Sequence, residues 1–205
     1  MPQHLGLNIQ NKSGGLKLTR ENYVKVNNKS SFRGREIYSE LFIETHTKNC
    51  FHNFDLNMEY CRSLSKQEFN VELMNFLNKT KVFEEITDLS LLNSSSGYYV
   101  LVLDEYSQAY IGRSEDIKTR IRGHWSKQKE FDRLIFGRKN NSILSIDSFR
   151  AYDTTRIFVY VTSDHDSFED EFINFFDSKY LLNRTIGGTL DGLAEAMLHR
   201  KTRIL

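Results

Sequence analysis

The stretch from Gly97 to Trp125 limits the possible fold more than any other part of the chain. Its sequence is GYYVLVLDEYSQAYIGRSEDIKTRIRGHW. Aromatic and β-branched residues predict short strands at 97–103 and 109–112, the second ending at Gly112, and the polar residues between them predict a turn. Ser114 is a suitable N-cap, and apolar residues then recur every fourth position, which predicts a helix. The stretch therefore predicts a β-hairpin followed by a helix.

Four polar side chains belong to this hairpin-helix unit. Tyr99 and Tyr110 lie on the two predicted strands, where they can share a face of the sheet. Arg120 and His124 are four residues apart, so they project from the same side of the helix. Two interpretations stand side by side: packing tyrosines with a solvated basic helix, or a functional cluster. Composition alone favours the first.

Composition supports a folded chain. The 205 residues are 39% hydrophobic and 13% aromatic, which is enough for a substantial core. No apolar run approaches the roughly 20 residues of a membrane span, and no signal peptide is recognisable at the start. We therefore expect a cytoplasmic protein without a membrane partner. Cys50 and Cys61 lack the spacing of zinc ligands or of a disulfide framework.

The net charge of +1 conceals strongly charged segments. Residues 12–36 carry seven Lys or Arg against two acids, and residues 113–139 carry nine against four. Residues 164–177 carry six acids and no Lys or Arg. The basic segments suit a polyanion such as nucleic acid, and the acidic segment suits a divalent cation. Ordinary solvated surface remains the alternative for all three.

The remaining segments give predictions of unequal strength. Ser65 and Glu68 form a capping-box pattern that predicts a helix. A basic loop at residues 30–35 is a candidate for DNA contact or an ordinary turn. Further predictions are helices at 82–92, 131–137, 167–176 and 189–205, an interior strand at 156–162, and a domain boundary near 93–96.

Residues 96–188 resemble the GIY-YIG nuclease domain. The first signature is Gly97-Tyr98-Tyr99, with tyrosine replacing the usual isoleucine, and the second is Tyr110-Ile111-Gly112. The other matching positions are Ser114, Arg120 and His124 on the helix, Glu169 three residues before Phe172-Ile173, and Asn183.

The resemblance implies an α/β fold of the α+β type, with a three-stranded antiparallel sheet flanked by helices. Residues 1–95 would then support this domain or contact DNA, and residues 189–205 would form a C-terminal helix with a basic end. It also implies a metal-dependent endonuclease that hydrolyses phosphodiester bonds by in-line attack of water.

In that reading the catalytic residues are Tyr99, Tyr110, Arg120, His124, Glu169 and Asn183. Arg120 stabilises the charge of the transition state, and Glu169 holds one Mg²⁺ or Mn²⁺ ion. Asn183 is expected to hold the backbone or Glu169 in place. The general base is either Tyr99 or a network that includes Tyr110 and His124.

The expected partner is double-stranded DNA, with Arg113, Arg122 and Lys127 contacting phosphate groups. A homodimer would suit cleavage of both strands. The compact chain favours a stand-alone enzyme of the restriction or defence type. Two alternatives stay open: a noncatalytic module that binds nucleic acid, and an RNase.

Overall fold

A computed structural model describes residues 1–9, 14–28, 37–164 and 168–184. The predicted basic loop at 30–35, Ser167 and the predicted helix at 189–205 lie outside the described residues. The fold is mixed α+β. In chain order its elements are β1 (Gln3–His4), β2 (Leu7–Asn8), α1 (Arg20–Tyr23), α2 (Glu40–Ser63), α3 (Lys66–Thr80), β3 (Glu84–Glu85), β4 (Gly97–Leu103), β5 (Gln108–Ser114), α4 (Ile117–Ser126), β6 (Arg156–Val161) and α5 (Glu169–Asn174).

The main sheet is antiparallel and has the strand order β3-β6-β4-β5. Every residue of β4 is buried, because this strand has a partner on each side and a packed layer on each face. The prediction that the strand near 156–162 is an interior one is confirmed. The sheet has four strands rather than three, because the two residues of β3 pair with Val159 and Phe158 of β6.

The alternation of side chains along β4 divides the core into two layers. Tyr99, Leu101 and Leu103 point to one side, where they pack with the apolar face of α4 and with residues of the N-terminal segment and α2. Tyr98 and Val100 point to the other side, towards α3 and α5. Residues before position 96 thus contribute to both apolar clusters.

Helix α3 confirms the prediction made from Ser65, whose side chain accepts the backbone N–H of Glu68 at 3.2 Å. The helix ends at Thr80, and the next residue, Lys81, adopts a left-handed conformation with φ 57°. The predicted helix at 82–92 is therefore wrong. Phe83 instead packs against the rings of Phe76 and Phe172, and the chain runs extended through β3 into a single 3-10 turn, Leu89–Leu91.

Three local predictions need correction. Helix α4 is capped by Asp116, whose carboxylate accepts the Thr119 N–H at 2.9 Å, and not by Ser114. Strand β5 continues through Gly112 to Ser114. The predicted helix at 131–137 is only one 3-10 turn, Phe131–Arg133. Among the described helices, none combines the length and apolarity needed to span a bilayer.

Candidate active site

The hairpin of β4 and β5 brings two tyrosines together. Tyr99 lies opposite Gly112, and Tyr110 lies opposite Leu101, so both tyrosines point to the α4 side of the sheet. Their ring centroids are 6.2 Å apart. Tyr99 is fully buried, whereas Tyr110 is partly exposed and reaches the surface of a cleft.

Gly112 permits this approach because it has no side chain. A Cβ atom at this position would lie 2.5 Å from the Tyr99 hydroxyl oxygen and 2.8 Å from a ring carbon of Tyr110. Both distances are well below van der Waals contact. Any larger residue at 112 would therefore push the two phenols out of place. The glycine of the second signature has a steric role beneath the tyrosines rather than a role in ending the strand.

Helix α4 supplies the cationic part of the site. Its buried side chains Ile117, Ile121 and Trp125 fix the helix against the sheet. Arg120 projects from the neighbouring face and stays exposed, close enough to the phenols of Tyr99 and Tyr110 to shift their pKa values. An always-charged guanidinium thus stands at the opening of the cleft.

His124 is 1% exposed and uses both ring nitrogens. Its Nε2 is 2.8 Å from the Tyr99 hydroxyl oxygen, and its Nδ1 is 2.6 Å from Oδ1 of Asp147. Burial lowers the pKa of His124 below its ordinary value, although the hydrogen bond to Asp147 opposes the shift. Asp147 was not predicted from the sequence. It lies in a 3-10 turn, Ile146–Ser148, in a segment without a recognisable motif.

Both phenols are held in the neutral form. Burial and then the neighbouring Tyr110 raise the pKa of Tyr99 well above its ordinary value, with Arg120 acting in the opposite direction. Burial also raises the pKa of Tyr110, again against the effect of Arg120. Neither tyrosine can therefore act as a base by itself at neutral pH. Tyr99 needs a neighbouring group that accepts its phenol proton before it can act as one.

Glu169 is the first residue of α5 and faces Arg113, whose Nε is 3.0 Å from its Oε2. Partial burial raises the pKa of Glu169, against the effect of Arg113. Tyr98 fixes the start of this helix, because its hydroxyl accepts the backbone N–H of Phe168 at 2.9 Å. Tyr98, which stands where the first signature usually has isoleucine, thus connects β4 to the residue that precedes Glu169.

Asn183 binds the backbone of β5 rather than the open part of the cleft. Its Oδ1 accepts the Ile111 N–H at 3.1 Å, and its Nδ2 donates to the Ile111 carbonyl at 2.8 Å. The N–H of Leu182 also donates to the carbonyl of Ala109 at 2.8 Å. The segment that follows α5 therefore extends along the outer edge of β5, as the expected backbone role of Asn183 requires.

A cleft of about 270 Å³ joins these groups. Five of the six residues predicted to be catalytic line it, and Tyr99 lies directly behind His124. The lining side chains are those of Tyr110, Arg120, His124, Lys129, Ser145, Ile146, Asp147, Glu169, Asp170, Ile173, Leu182, Asn183 and Arg184. The lining of the cleft therefore includes both cations and carboxylates.

Lys129 and Arg184 are further cations of the cleft that sequence reasoning did not single out. Lys129 Nζ is 3.9 Å from Asp147 Oδ2, and Arg184 donates to the Leu134 carbonyl at 3.0 Å. Burial lowers the pKa of Arg184 to about 10, so this group keeps its charge at neutral pH. For Lys129 the signal was the basic composition of 113–139, which does not identify individual residues, and Arg184 lies outside that segment.

The predicted phosphate-contacting residues are not gathered at the cleft. Arg122 and Lys127 are exposed and lie outside the described lining, and Arg113 is engaged with Glu169. A larger cavity, of about 460 Å³, has a separate lining that, among the described residues, shares only Leu182 with the cleft. None of the described residues that line it has a carboxylate or imidazole. We therefore assign the chemistry to the smaller cleft.

The carboxylates suit one hard cation rather than a closed metal centre. Within the described ranges, no three His, Cys, Asp or Glu side chains form a group that could hold a metal. Glu169 and Asp170 are adjacent and both line the cleft. Mg²⁺ is commonly bound by one or two carboxylates and completes its shell with water and substrate phosphate. These two carboxylates are groups of the cleft that could contact such an ion.

Comparisons with known proteins identify no relative. No family model, curated protein or solved structure gives a significant match to the chain.

Proposed function

We propose that this protein is a metal-dependent endonuclease that hydrolyses phosphodiester bonds in DNA, with a site of the GIY-YIG type. The observation that carries the proposal is the convergence of Arg120, the Tyr99–His124 pair and Glu169 on one cleft. In hydrolysis of a phosphodiester a guanidinium can stabilise the developing charge, a proton-accepting pair can activate water, and a carboxylate can hold a divalent ion. A cleft for binding alone has no need of the buried pair.

Arg120 binds the scissile phosphate in this mechanism. Negative charge grows on the nonbridging oxygens as water attacks, and the guanidinium can donate two parallel hydrogen bonds to them. Lys129 and Arg184 add positive charge on the same cleft. These residues orient the phosphate and stabilise the transition state more than the ground state.

Tyr99 and His124 accept the proton of the attacking water in this mechanism, and because Tyr99 is fully buried behind His124, binding of DNA must open a path from the cleft to the phenol. The phenol is hydrogen-bonded to the imidazole at 2.8 Å, so loss of its proton to His124 makes the phenolate a base. Glu169, assisted by Arg113, would hold the Mg²⁺ ion. When bound, the ion neutralises charge on the phosphate and on the leaving oxygen.

The proposal predicts hydrolysis of DNA that depends on a divalent cation. Purified protein is incubated with supercoiled plasmid and Mg²⁺, and in parallel with labelled RNA, each with and without EDTA. We expect nicked or linear plasmid only without EDTA, because the bound metal would supply the charge stabilisation on the leaving oxygen that no side chain of the proposed mechanism provides. Cleavage of RNA alone would favour the RNase. The noncatalytic module would be favoured if the protein bound both DNA and RNA but cleaved neither. That binding would depend on salt and would not change with EDTA.

The Lys and Arg residues outside the cleft are in accord with a double-stranded substrate that is held by its phosphates. A restriction or defence role, a homodimer and a cytoplasmic location stay predictions.

A further inference from the structure

Asp147 reaches the site from a part of the chain that carries neither signature. It belongs to the 3-10 turn Ile146–Ser148, which the side chain of Ser145 caps, and this turn packs against α4. Its Oδ1 is 2.6 Å from Nδ1 of His124, and its Oδ2 faces Lys129 at 3.9 Å. Both oxygens of the carboxylate are thus directed towards specific partners.

The contact with Asp147 determines which nitrogen of His124 carries the proton. An ionised carboxylate only accepts hydrogen bonds, so the proton of the neutral ring must lie on Nδ1. Nε2 is then a lone-pair acceptor, and the 2.8 Å contact with Tyr99 is one in which the phenol donates. With the other tautomer, Nε2–H would donate to the phenol, and His124 could not receive its proton.

The charge environment supports this arrangement. Burial raises the pKa of Asp147, but the hydrogen bond from His124 and the nearby cations outweigh it and hold the pKa below its ordinary value. His124 is kept neutral by burial. The titratable or charged groups that face His124 are Tyr99, Tyr110, Arg120, Lys127 and Asp147.

We propose that Asp147 is a positioning residue that holds His124 in the Nδ1–H tautomer, so that Nε2 takes the phenol proton of Tyr99. The catalytic role of this contact rests on the proposed function. The phenol proton moves to Nε2, and the phenolate takes a proton from water as the water oxygen bonds to phosphorus. The bond from phosphorus to the leaving oxygen breaks, and that oxygen takes a proton from solvent. His124 then returns its extra proton to solvent.

The tautomer is measured directly by NMR of the protein labelled with ¹⁵N-histidine, with His124→Gln used to assign the signal. We expect the wild type to show protonated Nδ1 and unprotonated Nε2 at neutral pH. In Asp147→Asn the amide can accept from or donate to Nδ1, so we expect a mixture of tautomers. This readout needs no activity. A wild-type ring protonated on Nε2, or a tautomer unchanged in Asp147→Asn, would overturn the inference.

The pH profile of single-turnover cleavage gives the second readout. Asp147→Asn should lower the rate by about 10² to 10⁴-fold, and Asp147→Glu should restore part of it. The acidic limb of the profile reports loss of neutral His124 as the pH falls. Because the Asp147 carboxylate raises the pKa of His124, its removal should move this limb to lower pH.

A purely structural role would lower the rate without moving the limb, and that result would contradict the inference. Asp55→Asn is the matched control, because this exposed carboxylate pairs with Arg20 and lies outside the described lining of the cleft. If the NMR result is as expected but the wild type cleaves nothing, the positioning contact stands and the proposed function falls.

Discussion

Arg120→Ala should lower the single-turnover rate of DNA cleavage by about 10³-fold, on the scale found when one transition-state hydrogen-bond donor is removed. The guanidinium is the always-charged donor of the cleft that also lies beside both phenols. Its loss removes stabilisation of the phosphate charge and raises the pKa of Tyr99 further, because Arg120 now lowers it. Arg120→Lys should recover only part of the rate, since an ammonium cannot donate in a fork.

Arg122→Ala is the matched comparison for Arg120. It removes the same side chain two positions further along α4, from an exposed site outside the described lining of the cleft. We expect it to weaken DNA binding and reduce its salt dependence, with little change in rate at saturating DNA. Equal rates for Arg120→Ala and wild type at saturating DNA would contradict the role given to Arg120.

Glu169→Gln should lower the Mg²⁺-dependent rate by about 10³-fold, because the charge stabilisation that a bound metal supplies is worth several kcal/mol and each 1.4 kcal/mol or so is tenfold. The amide keeps the shape of the side chain but is a poor ligand for a hard cation. The variant should also need more Mg²⁺ to reach half of its maximal rate. The measurement is a Mg²⁺ titration of single-turnover cleavage.

Glu171→Gln is the control, because Glu171 is exposed on the same helix and lies outside the described lining of the cleft. We expect its rate and its Mg²⁺ requirement to match the wild type. Glu169, and not Glu171, precedes the apolar pair Phe172 and Ile173 by three residues, and both residues of that pair are buried against the sheet. A larger loss at Glu171 than at Glu169 would show that the wrong carboxylate has been chosen.

The regular elements of the fold were predictable because local patterns determine them. The apolar run of β4, the spacing of α4 and the cap at Ser65 each reflect hydrogen bonding or burial within a few residues. The predicted helix at 82–92 does not form, because Phe83 packs against the rings of Phe76 and Phe172. The contact with Phe172 is a tertiary one, which the local pattern of apolar residues cannot predict.

The residues of the candidate site could be derived from local pattern where they belong to those elements, whereas Glu169 and Asn183 were predicted through the family resemblance and line the same cleft. Tyr99, Tyr110 and Arg120 follow from the hairpin and the helix. Asp147 does not, because it lies in an irregular segment and meets His124 only through the folding of the chain. The steric role of Gly112 could not be predicted from the sequence either. A side chain at this position would clash with Tyr99, and the two residues meet only when β4 and β5 pair.

The central claim is that this cleft directs water to attack a phosphodiester. It is tested most directly by cleaving DNA with Mg²⁺ in ¹⁸O-labelled water and weighing the product ends by mass spectrometry. The account predicts one ¹⁸O atom in the new terminal phosphate of each cut strand, with the product absent from Arg120→Ala and Glu169→Gln at equal times. DNA left intact by the folded wild type with either Mg²⁺ or Mn²⁺, or product formed equally by all three proteins, would contradict it.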